Sequence, residues 1–528
     1  MPGRYVAPWQ MRRAFEHPLA PALGCALLCV VYLVAQPATA DMAAHSYRAW
    51  LFEHEGLTVW NAQWYGGHHV LGYSLLFAPL AATLGPAIVG VLAALVAVVL
   101  FVPLAREAAA SPTAAATASW LFTAGVLSNV AIGRMPFLLG IALAVGAYSA
   151  ARSGRPVLSG VLSLSAMLAS PVAGVFVMLG AAAKLIAGGR PALRAALWLG
   201  VPATLGGIAL YLLFPEGGTD RFTATAFWPM LVISAAGVAL LAPGRRTLWA
   251  GGLLYLLLLV GAFFVPTPFG QNALRLGVLA GPAVLVLAHR KRVPVYAIAT
   301  VAIGLVYLQW LPAVRAVAEA HGDPSTRQAF QAEARGFLER VAAPGERVEV
   351  PLTMNHWEAA DLAKVVPLAR GWERQLDRKA NPIFYDDEPL TASAYHAWLR
   401  ENAVHWVALP NAPLDYSARE EAAILERGAK FLELEYESPR WRIWKVRGTA
   451  PPASNGAKLL AAGPNWFMVD ARRPTTVRYR YTRYWSTSDA CLSRTRGGWT
   501  RVEPLPGRSV VLVQARFGLE QARRAKGC

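Results

Sequence analysis

The side chains able to move a proton or grip an anion concentrate in one stretch, Asp41–Tyr73, which reads DMAAHSYRAWLFEHEGLTVWNAQWYGGHHVLGY. It holds three of the eight acidic residues before position 320 (Asp41, Glu53, Glu55) and four of the ten histidines (His45, His54, His68, His69). If a helix begins here, Asp41 and His45 share a face at i, i+4. A carboxylate shielded from bulk water beside a bilayer suits general-base chemistry. The alternative reading has Asp41 capping that helix. Trp60, Trp64, Tyr65 and Tyr73 present flat apolar surfaces with polar edges, which suit sugar rings and equally suit a bilayer interface. His68 and His69 fit hydrogen bonds to a phosphate, or metal ligation together with Asp41 and His45. Metal ligation needs three or four convergent groups, and spacing alone does not establish convergence.

Three further groups of polar residues stand out. Arg134 lies in NVAIGRMPF, and Asn272 and Arg275 lie in PFGQNALRLG. An arginine at a bilayer edge either snorkels as an anchor or holds a phosphate through charge-assisted bonds. In ARGWERQLD, Arg370, Glu373, Arg374 and Asp377 crowd together around Trp372, which suggests an ordered loop rather than a merely solvated one.

These residues need elements to position them. Residues 1–319 carry 19 Lys/Arg and 8 Asp/Glu, whereas residues 320–528 carry 31 and 24. Apolar runs at about 18–34, 86–105, 114–132, 136–151, 157–170, 171–187, 195–214, 226–242, 247–266, 273–288 and 294–312 predict eleven membrane spans. Basic clusters (Arg152/Arg155, Lys184/Arg190/Arg194, Arg245/Arg246, Arg290/Lys291/Arg292) recur at every second connection, the positive-inside pattern. This places the N-terminus in the cytoplasm. Asp41, Arg134, Arg275 and the C-terminal part then lie outside, in a multi-pass protein of the plasma or inner membrane. Residues 70–84 are short and interrupted by Pro79, so they are expected to form an interfacial or re-entrant helix.

Beyond residue 320 the period changes. Alternating helices and strands (STRQAFQAEARGFLERV, GERVEVPL, TASAYHAWLREN, VHWVALP, EYESPRWRIWKV) predict an α/β domain. After the APPASNG linker, TTVRYRYTRYW, GWTRVEP and SVVLVQARF alternate at period two, as strands of a small β-sandwich do. The expected fold is therefore a polytopic helical membrane module, 1–319, with an external loop 39–85. An extracytoplasmic α/β domain, 320–449, and a basic β domain, 450–528, follow. From residue 471 onward there are 13 Lys/Arg against 3 Asp/Glu. That excess fits anionic lipid or an anionic polymer, and equally a basic solvated surface with no partner. No nucleic-acid motif accompanies it. Cys25 and Cys29 are expected to pack as small hydrophobes in the first span, and Cys491 and Cys528 are the pair available for a disulfide outside the cytoplasm.

An Asp just after the first span, then His and Arg, then the W-N-x-x-W-Y-G-G stretch, resembles the first external loop of bacterial polytopic GT-C type glycosyltransferases. GRMPF, QNALRL and ARGWERQLD look most like the branch described as related to 6-pyruvoyl-tetrahydropterin synthase, from which no pterin chemistry is inferred. The resemblance implies a transferase that moves a sugar from a polyprenyl-phosphate donor to a cell-envelope glycan or lipid acceptor by inversion, with Asp41 as base. His45, Arg48, Trp60, Asn61, Trp64, Tyr65, His68, His69, Tyr73, Arg134, Asn272 and Arg275 would line the substrates. Arg370, Glu373, Arg374 and Asp377 would face the acceptor. No cofactor is implied; Glu53 and Glu55 are not adjacent to Asp41, a departure from the superfamily pattern that speaks against a metal-dependent mechanism, while a divalent metal stays open. The other readings are a transporter or flippase, which predicts charged spans and two related halves, and a non-catalytic envelope-assembly protein.

Overall fold

The computed structural model describes residues 8–241, 245–289, 293–386 and 388–517. The basic cluster at 290–292 and Cys528, and with it the proposed pairing to Cys491, lie outside the described residues. The chain divides into two compact units. The first comprises Met1–Pro37, Tyr73–Leu213 and Thr219–Ala318; the second comprises Ala38–Gly72, Phe214–Gly218 and Glu319–Cys528.

The first unit is helical, and its helices are written into the sequence by proline and glycine. Prolines occupy the first turn of Pro86–Ala108, Pro112–Ile132, Met135–Arg152 and Pro156–Ala169, where the missing N–H costs nothing. Gly133, at φ 92°, stops the second of these. Among the described residues eight helices are long and apolar enough to cross a membrane, so this is a multi-pass membrane protein. The count is lower than the eleven runs of the sequence. Ala20–Ala35, Pro156–Ala169 and Ala224–Leu240 are apolar as well but shorter, at 16, 14 and 17 residues. The two runs between 171 and 214 form one helical stretch broken at Gly189, whose φ is 62°.

Residues 70–84 yield an eight-residue helix, Phe77–Leu84, about 12 Å long and too short to cross. The segment before it caps the C-terminal end of Pro156–Ala169. Leu75 N–H donates to the Leu168 carbonyl at 2.8 Å, and Ser74 Oγ donates to that of Ala169 at 2.7 Å. Cys25 and Cys29 are buried and free, their sulfurs 3.9 Å apart.

The second unit contains the loop helix Ala40–Glu55 and a two-stranded hairpin of β1 (Trp60–Asn61) and β2 (His68–His69). A mixed sheet follows, with order β3-β4-β6-β5: β3 (Arg347–Glu349) runs parallel to β4 (Val404–Pro410), while β5 (Leu432–Glu437) and β6 (Trp441–Val446) are antiparallel. Helices such as Gln328–Val341 and Ala392–Glu401 accompany it. The C-terminal part is a β-sandwich. One sheet is β10-β13-β8-β7, formed by β7 (Lys458–Ala462), β8 (Trp466–Asp470), β10 (Trp485–Ser486) and β13 (Val510–Ala515). The other is β11-β12-β9, formed by β9 (Thr475–Arg480), β11 (Ala490–Arg494) and β12 (Trp499–Pro504). Burial alternates along β9, with Thr475, Val477 and Tyr479 inward and Thr476, Arg478 and Arg480 outward. The period-two sequence therefore becomes a two-faced sheet.

The external loop is not an appendage of the spans. Ala43, Ala44, Tyr47, Trp64 and Tyr65 belong to one hydrophobic core with Phe330, Val348, Leu362, Trp406 and Trp441. Sequence patterning had grouped 39–85 with the membrane module; the aromatic residues of Ala38–Gly72 instead bury their area against the α/β domain.

Candidate functional site

Asp41 is the second residue of the helix Ala40–Glu55, and Thr39 takes the capping position. The start of this helix is fixed by two indoles. Trp357 Nε1 donates to the Ala38 carbonyl and Trp372 Nε1 to the Ala40 carbonyl, each at 2.8 Å. Trp372 is itself held by stacking on His356, ring centres 3.5 Å apart. Two tryptophans more than 300 positions away thus set the backbone on both sides of Thr39. Each contributes a hydrogen bond of about 1 kcal/mol while removing a carbonyl from competition.

One turn and two turns further on, His45 and Arg48 are both buried, 1% and 5% exposed. Arg48 Nη2 lies 2.7 Å from Glu373 Oε2. Burial pushes the Glu373 carboxyl above its usual range, against the pull of Arg48. Tyr65 clamps the same residue from the other side, receiving the Glu373 N–H at 2.9 Å and donating to the Glu373 carbonyl at 3.2 Å. Burial, with Asp377 and Glu373 nearby, holds the Tyr65 phenol well above its usual range, so it stays a donor.

Trp64, fully buried, stacks between Tyr47 (4.7 Å) and His68 (5.5 Å), and its Nε1 donates to the Ala359 carbonyl at 2.9 Å. The turn that allows this uses positive φ at Tyr65, Gly66 and Gly67. A Cβ on Gly67 would stand 2.3 Å from Trp60, so glycine is required there for close approach as well as for conformation. Asn61 Oδ1 accepts from Tyr47 Oη at 3.1 Å. His68 faces Asn61 across the hairpin, and burial lowers it to about 4, with Glu216 opposing and Arg48 and His69 assisting. It is therefore neutral at physiological pH. His69 Nδ1 lies 2.6 Å from Glu216 Oε1, and Lys379 Nζ donates to the Glu216 carbonyl.

The structure thus brings together, in the second unit, His45, Arg48, Trp60, Asn61, Trp64, Tyr65, His68, His69 and Glu373, with Asp41 in the first turn of the helix that carries His45 and Arg48. It separates the other residues of ARGWERQLD from them. Arg370 and Asp377, with side chains 1% exposed, pair at 2.7 Å, and Arg370 also reaches Glu421 at 2.9 Å and Glu349 at 4.0 Å. This cluster is sealed in the α/β core and has no surface to offer a bulky acceptor. Arg374 forms a two-pronged pair with Asp415, at 2.9 and 2.7 Å. Burial alone would raise Asp415; the hydrogen bond and charge of Arg374 outweigh it and hold the carboxyl well below the usual range.

Tyr73, Arg134, Asn272 and Arg275 belong to the first unit. There Arg134 is the N-cap of Met135–Arg152, and the Arg275 guanidinium lies 5.3 Å from the Phe137 ring, in the first turn of the same helix. Both arginines therefore attend one helix start, where backbone N–H groups and the helix dipole favour an anion. Asn272 Nδ2 donates to Asp220 Oδ2 at 3.2 Å.

Sequence reasoning passed over Asp220, Glu216 and Trp357, and read Trp372 only as a sign of an ordered loop. The two acids had a signal, since they are among eight in the first 319 residues; Trp357 had none. Among the described residues no group of three or more His, Cys, Asp or Glu side chains is placed to hold a metal ion.

No family model matches the chain, and no curated protein matches it in sequence. Solved structures similar to it include ArnT from Cupriavidus metallidurans bound to undecaprenyl phosphate, 14% identical, with a TM-score of 0.44 over 82% of this chain and 98% of that one. The Archaeoglobus fulgidus oligosaccharyltransferase AglB, in complex with an inhibitory peptide and a dolichol-phosphate, is 12% identical, with a TM-score of 0.45 over 74% of this chain and 69% of that one. At that distance neither likeness carries weight for what this chain does.

Proposed function

We propose that this chain is an integral membrane glycosyltransferase of the GT-C type, moving a sugar from a polyprenyl-phosphate donor to a cell-envelope acceptor outside the cytoplasm. Within that superfamily we assign it to the branch described as 6-pyruvoyl-tetrahydropterin synthase-related, on the GRMPF, QNALRL and ARGWERQLD segments. The observation that carries the reading is the placement of Asp41. It sits in the first turn of a helix whose opening carbonyls are pinned by two indole N–H groups, at the head of a buried aromatic loop. A base held so is pre-organised for proton transfer.

In the proposed step the acceptor hydroxyl gives its proton to the Asp41 carboxylate. Its oxygen forms the new bond to the anomeric carbon, and the carbon–oxygen bond to phosphate breaks with the electron pair leaving on phosphate. The anomeric configuration inverts. In this reading the membrane module is 1–319 apart from 38–72 and 214–218, which fold with the second unit, and an α/β domain, 320–449, and a C-terminal β domain, 450–528, follow, with the N-terminus in the cytoplasm.

The test is Asp41→Asn in the producing cell, with envelope glycans and polyprenyl-phosphate sugars profiled by mass spectrometry. The expected result is a fall in transfer of about 10²–10⁴-fold, accumulation of a lipid-linked sugar and loss of a glycan linkage. Unchanged pools at normal expression overturn the reading. If deletion of the gene still has a phenotype in that case, transport or assembly takes its place.

A further inference from the structure

Arg478 and Arg480 leave β9 on the same face, two positions apart, which sets them about 7 Å from one another. Across the sheet from them lies Trp499, 3% exposed. The Arg480 guanidinium is 3.9 Å from the centre of that ring system, Arg478 is 5.7 Å away and the buried Arg347 is 5.3 Å away. Arg494 reaches the same corner: its Nη2 and Arg480 Nη1 stand 3.8 and 3.4 Å from where a Cβ on Gly498 would lie. Three cations gather around one indole, and Arg494 stands beside the Gly498 turn next to them.

These cations are held by carbonyls rather than by carboxylates. Arg478 Nη1 donates to the Glu401 carbonyl at 2.7 Å and Arg480 Nη1 to the Gly497 carbonyl at 3.0 Å. Arg347 donates to the carbonyls of Asn402 and Arg478. Elsewhere in the domain arginines do find acids, Arg501 with Glu503 at 2.6 Å and Arg508 with Asp489 at 3.5 Å. Among the described residues these four form no such pair. Glu401 acts on Arg478 and Arg480 only from beyond ion-pair reach. Burial pushes Arg480 below its usual range; Glu401 opposes this, and the charges of Arg494 and Arg478 add to it. Fixing like charges side by side is unfavourable, and an anion laid across them relieves the repulsion. Each guanidinium offers five N–H donors in a planar fork, and Arg478 and Arg480 each spend one on a carbonyl.

The shape of the patch decides between a bilayer and a soluble polyanion. Proteins that dock on bilayers turn tryptophan and apolar side chains outward as anchors. Here the Trp499 ring is covered by guanidinium groups and by the Gly66 turn, a Gly66 Cβ falling 3.1 Å from its Cζ3. The patch presents charge without an apolar wedge. It also adjoins the loop that carries the candidate site, since Arg480 N–H donates to the Gly66 carbonyl at 2.8 Å. We propose that this corner of the C-terminal sandwich is a docking surface for a linear polyanionic glycan, bearing carboxylates or phosphates and gripped by Arg478, Arg480 and Arg494. That the polyanion is a glycan rests on the transferase reading; that this corner grips a polyanion does not.

The experiment uses the full chain in dodecyl maltoside, with alginate oligosaccharides (a polyuronate) immobilised for biolayer interferometry and neutral dextran as the control sugar. Wild type is expected to bind alginate and not dextran, more weakly as salt rises. Arg478→Gln/Arg480→Gln/Arg494→Gln is expected to bind about tenfold more weakly or worse. Removing the same formal charge at exposed positions of the same domain, Arg472→Gln/Arg473→Gln/Arg508→Gln, is expected to change affinity less than about twofold. Because Arg480 packs on Trp499, Arg494→Gln alone, an exposed side chain, is the second variant, weakening binding about threefold with an unchanged melting temperature. Four outcomes each overturn the proposal: no binding of wild type to alginate, wild-type binding by both patch variants, equal loss in the control triple, or binding to phosphatidylglycerol vesicles without binding to alginate.

Discussion

His68→Phe should change how stability depends on pH. His68 is 3% exposed and stacked on Trp64, and burial lowers it from 6.5 to about 4. Between those values the unfolded chain binds a proton there and the folded chain does not. Stability contributed by this group is therefore present above 6.5 and lost as pH falls toward 4. At 1.36 kcal/mol for each pH unit the interval amounts to about 3 kcal/mol, most of it gone by pH 4.5. Glu373 and Glu421, both raised by burial, act with the opposite sign, so the wild-type profile is a blend. The difference between variant and wild type isolates His68. Phenylalanine keeps the stack on Trp64 and removes the titrating nitrogen. For a unit of this size 1 kcal/mol moves the melting temperature by about 2–4 °C. Relative to wild type, the variant should gain about 5–10 °C on going from pH 7.5 to pH 4.5, read by scanning fluorimetry in detergent. A difference that is the same at both pH values would refute the reasoning, because His68 would then not be held neutral by its burial.

Other outcomes follow from the same unit. Gly371→Ala places a Cβ 2.4 Å from Trp64 Cγ and should cost about 1–3 kcal/mol; a melting temperature equal to wild type would show that Trp64 is not fixed. Arg370→Met strands Asp377, Glu349 and Glu421 in the core. It should destabilise by about 3–5 kcal/mol at pH 7.5 and by less at pH 5, because Glu421, raised to about 7, is then protonated. A loss that grows on acidification would contradict this. Trp372→Phe keeps the stack on His356 but deletes the donor to Ala40. If Asp41 is the base, turnover should fall about 3–10-fold, with KM nearly unchanged; an effect on KM alone would assign Trp372 to binding instead.

Much of the architecture is legible in local pattern. The apolar runs, the prolines that open helices and the glycine that closes one depend on neighbours a few residues away, and so do the alternating strands of the last 80 residues. Span length was less legible. Hydropathy marks where a run is apolar, whereas Pro156 and Pro171 decide that the helix between them stops at 14 residues. The candidate site was legible as a list of residue types and illegible as a set of partners. ARGWERQLD reads as one polar cluster, yet Glu373 turns to Arg48 while Arg370, two residues after Leu368 of the core, turns inward to Asp377 and Glu421.

By itself, then, the sequence determined that the first part of this chain is apolar helix, that a polar aromatic loop follows the first run, and that the C-terminal parts are mixed and then all-β. Tertiary structure decided which charges meet, which of them are sealed from solvent, and that the helix start at Asp41 is held by Trp357 and Trp372. The reason is physical. Hydropathy and backbone propensity are sums over neighbouring residues, while the strength of an ion pair and the protonation of a buried group depend on everything packed around them, most of which arrives from hundreds of positions away.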